Sequence, residues 1–360
     1  MPAQPRSQRI RSSPTIYDVA RVAGVAPSTV SRAFSRPGRV KSETAERIRK
    51  IAAELGYRTN PLARALPTGH TSMIALATSD ITNPYYFEII RGAQSAAAEA
   101  DYTTLLADAQ ESDRLEREAL ERAIPTVEGI VLLSTRMSDS AIRMTAKQRP
   151  VIVLNRAIAD VPSVVVDHAQ AMRHAVDHLC DLGHERITYL AGPGAAWADG
   201  MRWRSLRELA AARQLQVRRL GPYPPTVVGG VAAAEDLRHH RTSSVIAYND
   251  LMAIGLIRGL LAFGARIPHE VSVVGFDNIF GADLVTPGLT TVAAPLRALG
   301  SIAVHNLLAL IGGAHASAGT PIALPTRLVV RESTGRRRPT PAWAGARGPA
   351  QSAPGASRDN

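Results

Sequence analysis

Thr15-Ile16-Tyr17-Asp18-Val19-Ala20-Arg21-Val22-Ala23-Gly24-Val25-Ala26-Pro27-Ser28-Thr29-Val30-Ser31-Arg32-Ala33-Phe34 holds two short helices and the turn between them. Thr15 is a hydroxyl N-cap with the Asp18 carboxylate three residues on, the start of a capping box. Val19, Ala20 and Ala23 follow at helical spacing. Gly24 then breaks the run where a tight turn needs an unhindered backbone. Pro27 suits a first helical position, whose N–H is an orphan in any helix. Val30, Ala33 and Phe34 make an apolar face and leave Ser28, Thr29, Ser31 and Arg32 outward. A third helix runs from Ser42 to Leu55 on Ala45, Ile48, Ile51, Ala52 and Leu55, and Gly56 caps it. Helix, glycine turn and second short helix make the helix-turn-helix pattern. An ordinary three-helix bundle shares the spacing. The absence of any acid between Asp18 and Glu43 favours DNA, with the second helix in the major groove.

The charge around this head agrees. The 360 residues carry a net charge of +11. Residues 1–66 hold 13 Arg and Lys against 4 Asp and Glu, residues 67–335 hold 24 against 26, and residues 336–360 hold 5 against 1. A basic head before a near-neutral body points to a phosphate backbone as partner. Apolar residues make up 45% and aromatics only 4%, so a large core is expected and must be aliphatic. The single cysteine, Cys180, excludes an intramolecular disulfide framework and a four-cysteine metal site. No apolar run approaches the ~18 residues of a membrane span, and Met1–Pro14 lacks the apolar segment of a signal peptide. A cytoplasmic protein is expected.

After the head, Asn60 is an N-cap, Pro61 a first-turn residue and Pro67 a stop. Two turns are too few for an isolated helix, so this stretch is expected to order only on a partner. Leu66, with Arg64 beside it, suits a minor-groove wedge. Beyond Gly69 short apolar runs alternate with helical stretches: Met73–Thr78, Thr104–Ala107, Gly129–Leu133, Val151–Leu154, Ser163–Val166, Arg186–Ala191, Ser244–Ala247 and Val271–Phe276. Near-continuous Val/Ile/Leu strands between helices indicate parallel sheets covered on both faces. About ten such units exceed one domain, so two lobes are expected. Ligands of such sheets bind beyond the carboxyl ends of the strands, where Ser79-Asp80, Asn155-Arg156, Asp167, Asn249-Asp250 and Asp277-Asn278 sit.

The head resembles the LacI/GalR family of bacterial transcriptional repressors. The matching text is Thr15–Ala20, Ala23-Gly24-Val25, Thr29–Arg32, Glu54–Tyr57 and Asn60–Leu66. In the body it is Asn83–Phe87, His178-Leu179, Leu182–His184, Tyr248–Gly255, Val271–Asn278 and Pro287–Val292. The resemblance implies an α/β protein: an N-terminal all-α helix-turn-helix head and a two-lobed periplasmic-binding-protein-like effector domain. The expected boundaries are a disordered basic N-terminus (1–14), the DNA-binding domain (15–58), a hinge helix and linker (59–69), the effector-binding and dimerisation domain (70–335) and a disordered basic tail (336–360). It implies DNA contacts from Thr15, Tyr17, Pro27, Ser28, Thr29, Ser31 and Arg32, and from Asn60, Ala63, Arg64 and Leu66 of the hinge. Pro27 and Ser28 fall on the family's main base-reading positions. It places effector contacts at Tyr86, Arg156, Arg202, Asn249 and Asp277. Trp197 is a second candidate platform. Arg202 and Asp277 are expected on opposite sides of the cleft.

The function so implied is a sequence-specific DNA-binding regulator, a repressor, controlled by a sugar or nucleoside. Its partners would be a pseudo-palindromic operator, the effector and a second copy of the chain, with no cofactor. The absence of C-terminal leucine heptads favours a dimer. Two other classes remain: a stand-alone sugar binder with a non-specific nucleic-acid-binding head, and a carbohydrate-active enzyme working through Asp80, Asp167 or Asp277. Salt-dependent binding to one operator separates the first; product formation would mark the second. His174 and His178, four apart on one helix near Cys180 and His184, have a spacing zinc can use, but Arg173 and Asp177 between them read as a solvated face.

Overall fold

The computed structural model describes residues 14–35, 38–57, 70–240, 242–314 and 320–338. The chain divides into two compact units, Met1–Ser72 and Met73–Asn360. The expected hinge helix and the two terminal tails, but for Pro14 and residues 336–338, lie outside the described residues.

The first unit contains α1 (Ile16–Ala23), α2 (Pro27–Ser35) and α3 (Ser42–Leu55). Their apolar faces meet in a small core of Val19, Ala20, Ala23, Val30, Ala33, Ala45, Ile48 and Ala52. The capping box forms as the sequence predicts: the Thr15 N–H and hydroxyl both donate to Asp18 Oδ2, at 2.9 and 2.7 Å. Those bonds hold the Asp18 carboxyl below its ordinary range. Gly24 ends α1 at φ 65°, the left-handed conformation the turn requires.

The second unit is two six-stranded sheets. The first lobe holds β1 (Met73–Thr78), α4 (Tyr85–Glu99), β2 (Thr103–Asp108), α5 (Asp113–Ala123), β3 (Gly129–Leu133), α6 (Asp139–Ala146), β4 (Val151–Leu154) and β5 (Ser163–Val166). The second lobe holds α7 (His168–Asp181), β6 (Arg186–Leu190), α8 (Trp197–Arg213), β7 (Gln216–Leu220), α9 (Val227–Leu237), β8 (Ser244–Ala247), α10 (Asp250–Ala262), β9 (Ser272–Asp277) and β10 (Thr290–Ala293). The chain then returns to the first sheet through α11 (Leu296–Ile311) and β11 (Ile322–Leu324), and ends in the second as β12 (Arg327–Val329). Strand orders are β11-β5-β4-β3-β1-β2 and β12-β10-β9-β8-β6-β7. All pairings are parallel except β10 with β12. The lobes are therefore joined by three crossings, at residue 167, residues 294–295 and residues 325–326.

Central strands β3, β4, β5, β8 and β9 are buried along their whole length, as parallel strands covered on both faces must be. Four strands escape the sequence pattern. β7 reads Gln-Val-Arg-Arg-Leu and sits at an edge, half in solvent. β10 begins with Thr290 and Thr291, both fully buried by hydrogen bonding rather than by hydrophobicity. β11 and β12 are three residues each, held by strand pairing and by Leu324 and Leu328 packed against the cores.

In the first lobe α11 packs on α4 at a spacing that only glycine permits. A Cβ on Gly300 would lie 1.9 Å from the Ile89 carbonyl oxygen, and one on Gly92 would lie 2.0 Å from that of Arg297. Gly300→Ala should therefore force the helices apart and cost about 1–3 kcal/mol, the range for overpacking a tight core. Gly312→Ala, where a Cβ meets nothing nearer than 3.4 Å, should be close to neutral. Urea unfolding of the two variants checks this; equal midpoints would show that the α4–α11 contact yields freely.

Candidate functional sites: a DNA-reading head and an interlobe cleft

On the head, α2 carries no acid in its first turn and has Arg32 in its last. Ser28 and Arg32 are exposed, while Pro27, Thr29 and Ser31 are half-buried. Tyr17 on α1 is 69% exposed, and Thr15 is exposed at its cap. The predicted contacts of the head thus lie on a surface a partner can reach. Asn60, Ala63, Arg64 and Leu66 lie outside the described residues.

In the second unit the ends of nearly all the central strands turn into one cleft. Its lining includes Tyr85 and Tyr86 from the first turn of α4, Glu111 after β2, Ser134–Arg136 after β3, and Asn155 and Arg156 after β4. The other wall is His168 after β5, Trp197 and Arg202 of α8, Pro225 after β7, Tyr248 and Asn249 after β8, and Asp277 at the end of β9. All six residues expected at the effector site are brought together here. Glu111, Ser134, Asn155 and Asp277 have φ of 59°, 58°, 57° and 110°. Backbone held in such sparsely populated regions is concentrated where side chains must be aimed at a site.

Charge in the cleft is paired. Arg202 reaches Asp277 with Nη2 3.5 Å from Oδ1, and both side chains are more than 90% buried. Its guanidinium also donates to the Tyr248 carbonyl and lies 4.1 Å from the Phe276 ring centroid. The sequence expectation that Arg202 and Asp277 face each other from opposite lobes is corrected: α8 and β9 both belong to the second lobe. A helix residue and a strand-end residue of one lobe are indistinguishable, by spacing along the chain alone, from residues of two lobes. The first lobe supplies its own pair, which sequence reasoning missed: Arg136 Nε and Nη2 meet Glu111 Oε2 and Oε1 at 2.7 and 3.1 Å. The buried Glu116 holds the Arg136 N–H at 3.1 Å. The signal was Ser134-Thr135-Arg136 directly after the apolar run Gly129–Leu133. Arg156 donates to the Met137 carbonyl at 2.6 Å and pairs with Asp139.

Other lining groups are tied down as well. The Tyr86 hydroxyl lies 2.6 Å from Ser79 Oγ, and its ring meets Tyr85 edge-on with centroids 5.1 Å apart. Asn249 is the N-cap of α10: Oδ1 accepts from Met252 N at 2.9 Å, and Nδ2 donates to the Pro225 carbonyl at 3.0 Å. The loop 221–226 turns Pro225 into the cleft, while the Tyr223 hydroxyl donates outward to Asp236 at 2.6 Å. Asp80 closes a local turn on Thr82, and Asp167 caps α7 through Gln170 N; neither lines the cleft. His174 and His178 bond separately to the Thr326 carbonyl and Thr334 Oγ1. Among the described residues no cluster of His, Cys, Asp or Glu is placed to hold a metal, and no helix is long and apolar enough to cross a membrane.

A helix-turn-helix unit joined in one chain to a two-lobed α/β body with a polar cleft defines a ligand-responsive DNA-binding regulator. The comparisons agree. Residues 15–60 match the pattern of bacterial regulatory proteins of the lacI family, and residues 176–334 match the periplasmic binding protein-like domain. The HTH-type transcriptional regulator CelR of Thermobifida fusca is 32% identical over 337 residues, covering 90% of this chain and 99% of CelR. The lac repressor dimer bound to operator and an anti-inducer superposes with a TM-score of 0.80 at 26% identity, over 90% of this chain and all of that one. A ribose-bound LacI-family regulator from Enterococcus faecalis V583 gives 0.67 at 28% identity, over 74% of this chain and all of that one. The chain belongs to the lacI family of bacterial regulatory proteins and is a DNA-binding transcriptional regulator.

Burial pushes the Asp277 carboxyl up to about 7, against the opposing pull of Arg202. An unfolded aspartate titrates near ~3.9, so between these values the folded chain holds a proton that the unfolded chain has released. The resulting stability is complete below the unfolded value and is lost as pH rises through about 7. Melting temperatures from pH 5 to pH 8 should therefore fall more steeply for the natural chain than for Asp277→Asn, which has no proton to lose. Parallel curves would mean that Asp277 is ionised throughout.

Proposed function

We propose that the chain is a cytoplasmic, homodimeric repressor whose hold on a two-fold operator responds to a neutral, polyhydroxylated effector, a sugar or nucleoside, bound between the lobes. One observation carries the effector class. Each guanidinium that lines the cleft already has a carboxylate: Arg136 has Glu111, Arg156 has Asp139 and Arg202 has Asp277. A phosphorylated or carboxylate ligand would need an uncommitted cation. Hydroxyls need only the free edges of paired charges, with rings such as Tyr86 and Trp197 against their apolar faces. The ribose held by the Enterococcus faecalis relative belongs to the same chemical class.

Tyr86, Arg156, Trp197, Arg202, Asn249 and Asp277 are the proposed effector contacts, to which Arg136 and Glu111 are added. The cleft's own carboxylates, Glu111 and Asp277, are each held by an arginine, which supports binding rather than catalysis. On the DNA side the proposed contacts are Thr15, Tyr17, Pro27, Ser28, Thr29, Ser31 and Arg32, with Asn60, Ala63, Arg64 and Leu66 in the linker. Pro27 offers no hydrogen-bond donor, so base reading falls to Ser28, Thr29 and Arg32.

A dimer presents two recognition helices, so footprinting should reveal half-sites related by a dyad, about one helical turn (~10 bp) apart. Arg32→Ala should reduce discrimination between operator and random DNA by about 1–3 kcal/mol per lost base contact. A footprint on one asymmetric half-site, or equal loss on random DNA, would count against this assignment.

Effector mutants separate the two halves of the proposal. Hydrogen bonds to charged groups contribute about 1.5–3 kcal/mol each, so Arg202→Ala should weaken the effector ten- to hundredfold and leave operator affinity in its absence nearly unchanged. If the effector is an inducer, the variant stays on its operator at concentrations that release the natural chain. If it is a corepressor, the variant fails to repress. A folded variant that responds at natural-chain concentrations would remove Arg202 from the site.

A further inference from the structure

Several buried side-chain nitrogen and oxygen atoms have no hydrogen-bond partner among the described residues. Four of them belong to residues lining the cleft: Asn155 Oδ1, Arg202 Nε, and both ring nitrogens of His168. His168 is the extreme case. It is 4% exposed, and neither of its polar atoms is satisfied. It begins α7, directly after the crossing at residue 167 where the chain passes from the first sheet to the second. Its ring meets Trp197 with centroids 5.6 Å apart and planes at 58°. Two other histidines show what a structural histidine looks like in this fold. His184 uses both nitrogens, on Ser243 and on Ser272 and the Gly335 carbonyl, and His178 bonds Thr334.

A buried imidazole with no partner lowers stability, because its desolvation is uncompensated. Such groups persist where a ligand completes them, and cleft residues are the ones that give up stability for binding. Burial and the nearby Arg202 guanidinium hold the His168 ring well below the usual histidine range, so it is neutral. A neutral ring has one donor and one acceptor. A hydroxyl also has both, and can bond either ring nitrogen; a carboxylate or phosphate oxygen can meet only the N–H.

We propose that His168 contacts the effector directly and determines specificity, its uncharged ring bonding a hydroxyl of the ligand beside Trp197. The assignment rests on the cleft being the effector site. A site built to bond a hydroxyl discriminates strongly against an analogue that lacks it, since its own buried polar atoms are then left unpaired.

The experiment compares full-length natural chain, His168→Leu, His168→Gln and Arg202→Ala. Melting temperatures are measured alone and with D-ribose, D-xylose, D-glucose, cellobiose, adenosine and cytidine; the best binder and its monodeoxy analogues are then titrated. Without ligand, His168→Leu should melt at or a few degrees above the natural chain, since it removes unsatisfied polar atoms at similar volume. A melting point several degrees lower would show that the ring serves the fold and would overturn the proposal. With the best binder, His168→Leu should lose ten- to hundredfold in affinity, and His168→Gln, which keeps a donor and an acceptor, should recover part of it. One monodeoxy analogue should bind the natural chain weakly yet bind His168→Leu as well as the parent sugar does. Unchanged affinity in His168→Leu with loss in Arg202→Ala would overturn the role of His168 and keep the cleft. Unchanged affinity in both, or no shift of the natural chain by any probe, would overturn the cleft reading and His168 with it.

Discussion

The pairing of every cleft guanidinium with a carboxylate is the constraint on which the second unit turns. Isolated charge costs too much to bury, so a cleft walled by arginines can exist only if each lobe brings its own counter-charge. The first lobe does so with Arg136 and Glu111, the second with Arg202 and Asp277. Each pair closes within one lobe and does not depend on the other. The two walls are therefore electrostatically complete by themselves, and a neutral ligand can bridge them without leaving either charge exposed in the interior.

That independence matches the connectivity. Three crossings join the lobes, and each is only one or two residues long. Everything rigid lies on either side of them: central strands buried end to end, and helix pairs such as α4–α11 seated through glycine. Sites on strand ends inherit that rigidity, while the crossings are the natural places for backbone change. A ligand shifts such a two-body system only by its difference in affinity for the two arrangements, and His168 begins the helix that follows the first crossing.

Much of this was legible from residues alone. The helix-turn-helix reads from caps, a turn glycine and an apolar stripe, all of them local signals, and its three helices form where those signals place them. Long Val/Ile/Leu runs such as Val151–Leu154 marked buried parallel strands, because burial on both faces leaves no alternation. Of the polar residues beyond those runs, Asn155, Arg156, Asn249 and Asp277 line the cleft, whereas Asp80 and Asp167 serve a local turn and a helix cap. The readings that failed or were missing share a cause. β10 is buried by the hydrogen bonds of Thr290 and Thr291, β7 is an exposed edge, and β11 and β12 are short strands whose pairing with β5 and β10 no local signal announces.

The sequence by itself determined the division into a basic helical head and an α/β body and the positions of most central strands, because these depend on periodicity, caps and charge within short windows; the family was legible as a resemblance in its motifs. Only the tertiary structure decided which strand ends share a lobe. It put Arg202 and Asp277 on one wall rather than two, paired Arg136 with Glu111, made Asn249 a helix cap, and left both nitrogens of His168 without a partner among the described residues. The reason is physical: hydrogen-bond satisfaction and charge pairing are properties of neighbours in space, and strand order, which sets those neighbours, is not written in the spacing of residues along the chain.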